Sequence, residues 1–372
     1  MKENAFIYVH IPFCIQKCPY CNFCSFKYDK ELMDRYVLKL CEEIKYKVDR
    51  YSINSIESVY LGGGTPGLLT PGQLEQIVNA LDPLKFNKEL EFTIEVNPKS
   101  ANREKYSAMK DFKVNRISVG AQSFDDELLK KLGRIHTVDD IYSCINDICL
   151  AGIDNVSIDL MYGIPDQTFI HWKKTLDIAL SLDLPHISTY GLKIEPETPF
   201  YEQYSPENPD LPADEITEKM FLMTDEMLVR EGYEHYEISN YARNKAYSKH
   251  NLNYWQNNNY FGFGLSAHSF FEFIRCENTS SLEDYLKNPF QNNICHKISN
   301  AEYIEDAIFL NLRLASGIRL KEFSQKYHID FMKHYKNIIE KYADFFTISS
   351  NHIALNLKGM LLSTNILAEF LK

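Results

Sequence analysis

The chain has 372 residues, 45% of them hydrophobic and 24% charged, with 15 glycines and 14 prolines. These proportions exclude disordered, collagen-like and low-complexity classes and leave a soluble globular chain of two or three domains, or one barrel with an appendage. A formal net charge of −11 argues against broad binding to phosphate backbones or anionic membranes, and no long apolar run offers a transmembrane helix.

The opening segment, Met1 to His10, is too short in apolar length for a secretory signal and reads as a strand over Phe6–His10, so a cytoplasmic location is expected. Directly after it comes Cys14-Ile15-Gln16-Lys17-Cys18-Pro19-Tyr20-Cys21, a C-x3-C-x2-C run. Of nine cysteines, four crowd into Cys14–Cys24, and the rest (Cys41, Cys144, Cys149, Cys276, Cys295) are scattered. That is a metal-binding cluster rather than the disulfide framework of a small secreted protein. Three thiolates in one loop suit an iron–sulfur cluster with one iron left open to a small chelate. Zinc would want a fourth ligand, for which Cys24 is the candidate.

Next, Leu32, Tyr36, Leu40, Ile44 and Val48 recur at i+4 steps and predict an amphipathic helix over 30–50. A strand over Ile56–Leu61 runs into Gly62-Gly63-Gly64-Thr65-Pro66. Glycines there let a backbone approach a ligand closely and present N–H groups to an anion. Thr70-Pro71-Gly72-Gln73 has the spacing of a capping box and opens a helix over 71–82. Strands over Glu91–Val96, Arg116–Val119, Val156–Met161 and Ile187–Leu192 then alternate with helices near 102–110, 125–132, 137–151 and 168–182.

Six βα units in series mean a parallel sheet with right-handed crossovers, either doubly wound or a barrel. In both, ligands gather at the C-terminal ends of the strands. The Cys loop, the Gly loop, Glu95, Gln122 and Asp159 all lie there. Glu95 and Asp159 sit among apolar neighbours, so each needs a ligand or a structural partner.

The repetition stops after Leu192. Residues 193–215 hold Pro196, Pro199, Pro206, Pro209 and Pro212 and seven acids against Lys193, the pattern of a solvated loop. A helix follows near 214–232, then an aromatic-rich stretch to 300. Helices over 301–314, 320–327 and 331–343 precede a hairpin of Phe345–Ile348 and His352–Asn356 and a closing helix, a winged-helix-like order. Nine bases against eight acids in 301–372 lack the footprint of a nucleic-acid binder and suit a structural or partner-docking role. The expected division is 1–215, a barrel extension over 216–300, and 301–372.

Several motifs together carry a resemblance. They are Tyr8-Val9-His10-Ile11-Pro12-Phe13-Cys14 with the cysteine run, the GGGTP turn, Glu95-Val96-Asn97-Pro98, Gly120-Ala121-Gln122-Ser123-Phe124, Leu132-Gly133-Arg134-Ile135-His136 and Asp159-Leu160-Met161-Tyr162-Gly163-Ile164-Pro165. The chain resembles the radical S-adenosylmethionine (SAM) superfamily, and within it the group of oxygen-independent coproporphyrinogen III dehydrogenases (HemN) and HemW-type haem chaperones. The resemblance implies an α/β fold, a partial (β/α)6 TIM-like barrel, with a smaller winged-helix-like α+β domain. It implies that Cys14, Cys18 and Cys21 hold a [4Fe–4S] cluster whose open iron takes the amino and carboxylate groups of SAM. It places Tyr8, Tyr20, Gly63, Gly64 and Thr65 against SAM, with Glu95, Gln122, Arg134 and Asp159 matching positions at one of two SAM sites. An electron from the cluster would cleave SAM to a 5′-deoxyadenosyl radical.

Two features divide the group. The dehydrogenases carry a further cysteine two residues after the third cluster cysteine; here that residue is Phe23, and Cys24, one residue on, points the other way in an extended loop. His250-Asn251-Leu252-Asn253-Tyr254-Trp255 has the H-N-x-x-Y-W pattern of the haem chaperones. The resemblance makes His250 the candidate haem ligand. Tyr254 and Trp255 could pack on the porphyrin face, and His268 is a second candidate ligand. His10 and His136 are expected to be structural or to support the site residues from behind. The implied function is a haem chaperone that binds cluster, SAM and haem and passes haem to an acceptor such as a respiratory protein, with coproporphyrinogen III dehydrogenase as the alternative.

Overall fold

The computed structural model describes residues 4–82, 84–204, 210–290 and 294–371. Six parallel strands follow in chain order: β1 (Asn4–Ile11), β2 (Ser55–Gly63), β3 (Lys85–Val96), β4 (Arg116–Gln122), β5 (Asn155–Tyr162) and β6 (His186–Gly191). Each pairs with the next, with no reversal of strand order. That monotonic order marks a partial barrel and excludes the doubly wound alternative, which needs a switch point.

Local chemistry sets the intervening helices: α1 (Lys30–Arg50), α2 (Pro71–Leu81), α3 (Arg103–Asp111), α4 (Asp126–Lys131), α5 (Val138–Leu150) and α6 (Phe169–Ser181). The predicted stripe of α1 buries Tyr36, Leu40, Ile44 and Val48 against the sheet. Thr70 and Gln73 form the expected capping box of α2. β3 begins six residues earlier than predicted. Its polar start pairs Lys85 with Ser55 and Phe86 with Ile56, so long-range pairing prevails over local composition.

The proline-rich segment is not a free loop. Thr198 caps a short helix α7 (Pro199–Gln203). The Phe200 N–H donates to the carbonyl of Pro19 at 3.0 Å, and the Phe200 ring lies 6.0 Å from that of Tyr20. Phe200 and Tyr204 bury with Leu128, Leu132, Met161 and Ile164 in a small core beside the Cys loop. Full burial of one such side chain is worth about 1.5–3 kcal/mol, enough to dock the segment. Pro206, Glu207 and Pro209 lie outside the described residues.

Both sheet edges are extended by residues beyond the barrel. After α8 (Asp214–Arg230), β8 (Asn240–Ala242) adds antiparallel to β6, and β7 (Glu234–Glu237) pairs antiparallel with β8 at the outer edge. After α9 (Lys249–Trp255), β9 (Phe261–Phe263) adds parallel to β1. A second sheet of β10 (His268–Phe271), β11 (Ile274–Glu277) and β12 (Ile294–Lys297) follows, with α10 (Leu282–Lys287) between its last two strands. Its register sets Cys276 opposite Cys295, and the two are joined as a disulfide, a pairing their spacing in the sequence does not announce.

The C-terminal part packs α11 (Asn300–Asn311) and α12 (Leu320–Tyr327) around their own core. Strands β13 (Ile318–Arg319), β14 (Phe346–Ile348) and β15 (His352–Leu355) form its sheet. The predicted helix over 331–343 is broken at Tyr335, whose backbone leaves the helical region (φ −102°, ψ 21°). Its ring packs on Phe331 and Phe370 instead. Among the described residues no helix is long and apolar enough to cross a membrane.

Candidate functional site

A cavity of about 370 Å³ opens at the C-terminal ends of the barrel strands. Cys14, Cys18 and Cys21 line one side of it. Tyr20, Gly63, Gly64, Glu95, Gln122, Arg134 and Asp159 complete most of the predicted set. Tyr8 and Thr65 stand behind the lining. The Tyr8 hydroxyl meets His10 Nδ1 at 2.9 Å, and the Thr65 hydroxyl donates to Cys14 Sγ at 3.5 Å.

Among the described residues no three histidine, cysteine or carboxylate side chains converge on one point, as a single zinc ion would require. Three thiols facing one cavity fit a polynuclear cluster, where each sulfur takes its own iron. Burial raises the thiol pKa of Cys14 and Cys21, which metal ligation would reverse by removing the proton.

A chain of hydrogen bonds ties the cysteines to the strand ends. Arg134 donates to Cys18 Sγ at 3.5 Å, to the Gly120 carbonyl at 2.6 Å and to the side chain of Asn97. Asn97 donates to Thr65 Oγ1 at 2.9 Å, and Thr65 in turn reaches Cys14. Asn97 is the hub, and sequence reasoning passed over it, although it follows β3 inside a quoted motif. Hydrogen bonds to cluster sulfurs are a lever on reduction potential. Ser118 and Tyr190 were also missed. Ser118 donates to both oxygens of Asp159 at 3.0 and 3.3 Å, and Tyr190 lines the cavity beside it.

The Gly loop acts differently from the expectation. Its N–H groups are not free for an anion: Gly63 donates to Glu95 at 3.2 Å, Gly64 to Ile11 at 2.9 Å and Thr65 to Phe13 at 2.8 Å. Its smallness serves close approach. A Cβ on Gly63, where φ is +105°, would fall 2.3 Å from the His10 ring. His10 is buried and donates from Nε2 to the Cys24 carbonyl at 2.9 Å, so it pins the far end of the Cys loop, a structural role as expected. His136 likewise reaches the Ala121 carbonyl at 3.2 Å from a buried position. Cys24 packs against the main core and does not line the cavity, whereas Phe23 does and is exposed.

Glu95 accepts from the Tyr60 hydroxyl at 2.8 Å as well as from Gly63. Burial nonetheless pushes its pKa up to about 7 from 4.5. A carboxyl pKa raised on folding contributes stability below its unfolded value, and that stability is lost as pH rises through the folded one. Ligand-free protein is therefore expected to lose about 1–2 kcal/mol between pH 5 and 8 relative to Glu95→Gln, after discounting for solvent screening at the open cavity. Denaturant titrations at the two pH values test this. A constant difference would show that Glu95 ionises normally.

His250, the expected haem ligand, is sealed by its surroundings in this fold. The carboxylate of Glu91 accepts the N–H groups of Lys249 and His250 at 2.9 and 3.0 Å and so anchors the start of α9 inside the barrel. His250 is 1% exposed. Nδ1 lies 2.8 Å from the Ser58 hydroxyl and Nε2 2.9 Å from that of Tyr254, and the ring stacks on Tyr60. Both nitrogens are occupied and no face is open. His268 is exposed on β10 and lines a second cavity with Tyr254 and Trp255.

The chain matches the radical SAM superfamily over residues 8–179 and the HemN C-terminal domain over 298–362. It is 34% identical to the heme chaperone HemW of Bacillus subtilis, covering 98% of each chain. It is 34% identical to the heme chaperone HemW of Lactococcus lactis, covering 100% of this chain and 98% of that one. The solved structure of the Escherichia coli coproporphyrinogen III oxidase HemN, a radical SAM enzyme, superposes with a TM-score of 0.86 at 22% identity over 99% of this chain and 90% of that chain, a likeness of fold.

Proposed function

Because this chain belongs to the radical SAM superfamily and, within it, to the HemW family, we propose that it is a haem chaperone that binds haem and hands it to an acceptor protein. The observation that carries the reading is identity with the HemW relatives along nearly the whole chain, not over the barrel alone. Phe23 supports it, standing in the cluster cavity where the related dehydrogenases carry a cysteine. The cytoplasm is the proposed location. Residues 1–215 would form the barrel, 216–300 its extension, and 301–372 a domain for docking.

Cys14, Cys18 and Cys21 would hold the [4Fe–4S] cluster, which when bound supplies an electron to SAM. Tyr20, Gly63, Gly64, Gln122, Glu95, Arg134 and Asp159 would surround SAM, with Tyr8 and Thr65 supporting from behind. The two carboxylates suit its ribose hydroxyls or amino group, and the guanidinium suits its carboxylate. A cavity of about 370 Å³ with Glu95, Asp159 and Arg134 in its lining suits a small zwitterion better than a macrocycle.

Replacing Cys14, Cys18 or Cys21 by serine is expected to remove the bound iron and the cluster absorbance, while Cys24→Ser retains both. Equal loss in Cys24→Ser would make Cys24 a fourth ligand. The function is tested by titrating the anaerobically reconstituted protein with haem. The reading expects a saturable Soret shift near about one haem per chain, followed by transfer to an apo-acceptor. Absence of a saturable shift, with conversion of coproporphyrinogen III propionates to vinyls in the presence of SAM and reductant, would overturn it in favour of the dehydrogenase.

A further inference from the structure

We infer that the cargo tetrapyrrole binds in the second cavity, between the β10–β12 sheet and helices α9 and α11, with His268 as its iron ligand. This rests on the haem-chaperone reading and assigns that function a site apart from the cluster. The cavity measures about 660 Å³, within the range of pockets that enclose organic cofactors, and shares no lining residue with the cluster cavity.

The sheet register builds one wall. His268 pairs with Glu277 and Glu277 with Ile294, while Phe270 pairs with Arg275 and Arg275 with His296. Directly opposed residues share a face and side chains alternate along a strand, so these six project together. All six line the cavity. The Cys276–Cys295 bridge alternates with these residues along β11 and β12 and clamps the two strands together. Across the gap stand Trp255 at the end of α9 and Phe309 and Leu310 on α11. A slot between a sheet face and two helices, walled by Trp255, Phe270 and Phe309, has the shape and surface of a site for a flat aromatic ring system.

The polar groups fit the same occupant. His268 is exposed, and its Nε2 lies 3.9 Å from Glu277, beyond hydrogen-bond reach, so an iron can take it. Arg275 is paired with Asp306 at the cavity wall and offers a fork for a propionate. Ile294 is 69% exposed, an apolar side chain that a macrocycle would cover. The indole N–H of Trp255 is buried with no protein partner among the described residues. His250, by contrast, is sealed, so the H-N-x-x-Y-W segment would serve haem through Tyr254 and Trp255 at this wall.

The test uses the full chain with its cluster reconstituted, titrated with haem and followed at the Soret band. His268→Ala is expected to lose the histidine-ligated spectrum and weaken binding by about tenfold or more, with iron per chain and melting temperature unchanged. Ile294→Trp, which fills the slot without removing a ligand, should also weaken binding. If wild type binds haem saturably and both variants match it in spectrum and affinity, the site is overturned while the chaperone reading stands. If wild type itself binds no haem saturably, that reading fails and the site falls with it.

Discussion

Replacing Gly64 by alanine is expected to destabilise the fold by about 2–4 kcal/mol and to strip the protein of most of its iron. A Cβ there would stand 2.7 Å from both the N and the O of Phe13 and 2.8 Å from the carbonyl of Ile11. These are backbone atoms, so no flexible side chain can yield. The chain can only relax by separating the Gly loop from β1, which breaks the hydrogen bonds from Gly64 to Ile11 and from Thr65 to Phe13. Cys14 follows Phe13 directly and receives the Thr65 hydroxyl, so the same displacement moves a cluster thiol. Gly72 is the control. It lies in the first turn of α2, nothing sits within 4 Å of its would-be Cβ, and alanine there should be neutral or stabilising by about 0.5–1 kcal/mol. Calorimetry and iron analysis of the two variants settle the point; equal iron in both would mean that the backbone has room to adjust.

The contrast between Gly64 and the hub Asn97 illustrates what the sequence discloses. The cysteine run, the Gly turn and the carboxylates at strand ends are legible because each is a local pattern next to an apolar β-branched run. The six strands are legible for the same reason, because their buried stretches read as short apolar runs, and the exposed start of β3 is not. Asn97, Ser118 and Tyr190 are not legible as chemistry, since only closure of the barrel brings them to the cavity. The edge strand β9 is three residues long, and its pairing of Ile7 with Phe261 bridges a separation that no local signal records. The Pro-rich segment misleads for a related reason. Its composition is that of a solvated loop, yet one buried aromatic, Phe200, finds a place against Tyr20 and holds α7 down. Composition reports averages; docking depends on single side chains.

His250→Ala is expected to lower stability by about 3–5 kcal/mol, from a cavity in the barrel interior and two hydroxyls left without a partner. The hydroxyls are those of Ser58 and Tyr254. The melting temperature should fall on the order of 5–10 °C. The penalty has a pH signature. Burial, reinforced by Arg116, pushes the His250 pKa down to about 3. A histidine held neutral in the folded state costs stability as pH falls below its unfolded value near 6.5, by close to 1.4 kcal/mol per unit. The gap between wild type and variant is therefore widest above pH 6.5 and narrows on acidification, which paired denaturation curves at pH 7 and 5 read directly. SAM affinity should fall several-fold as well, because the ring supports Tyr60, whose hydroxyl holds Glu95 at the cluster cavity. Haem bound per folded chain, measured well below the melting transition, should keep the histidine-ligated Soret band. A lost band at an unaltered melting temperature would return His250 to the iron. A retained band with a lowered melting temperature makes the histidine of the H-N-x-x-Y-W segment a brace between the barrel interior and Tyr254, one wall of the second cavity.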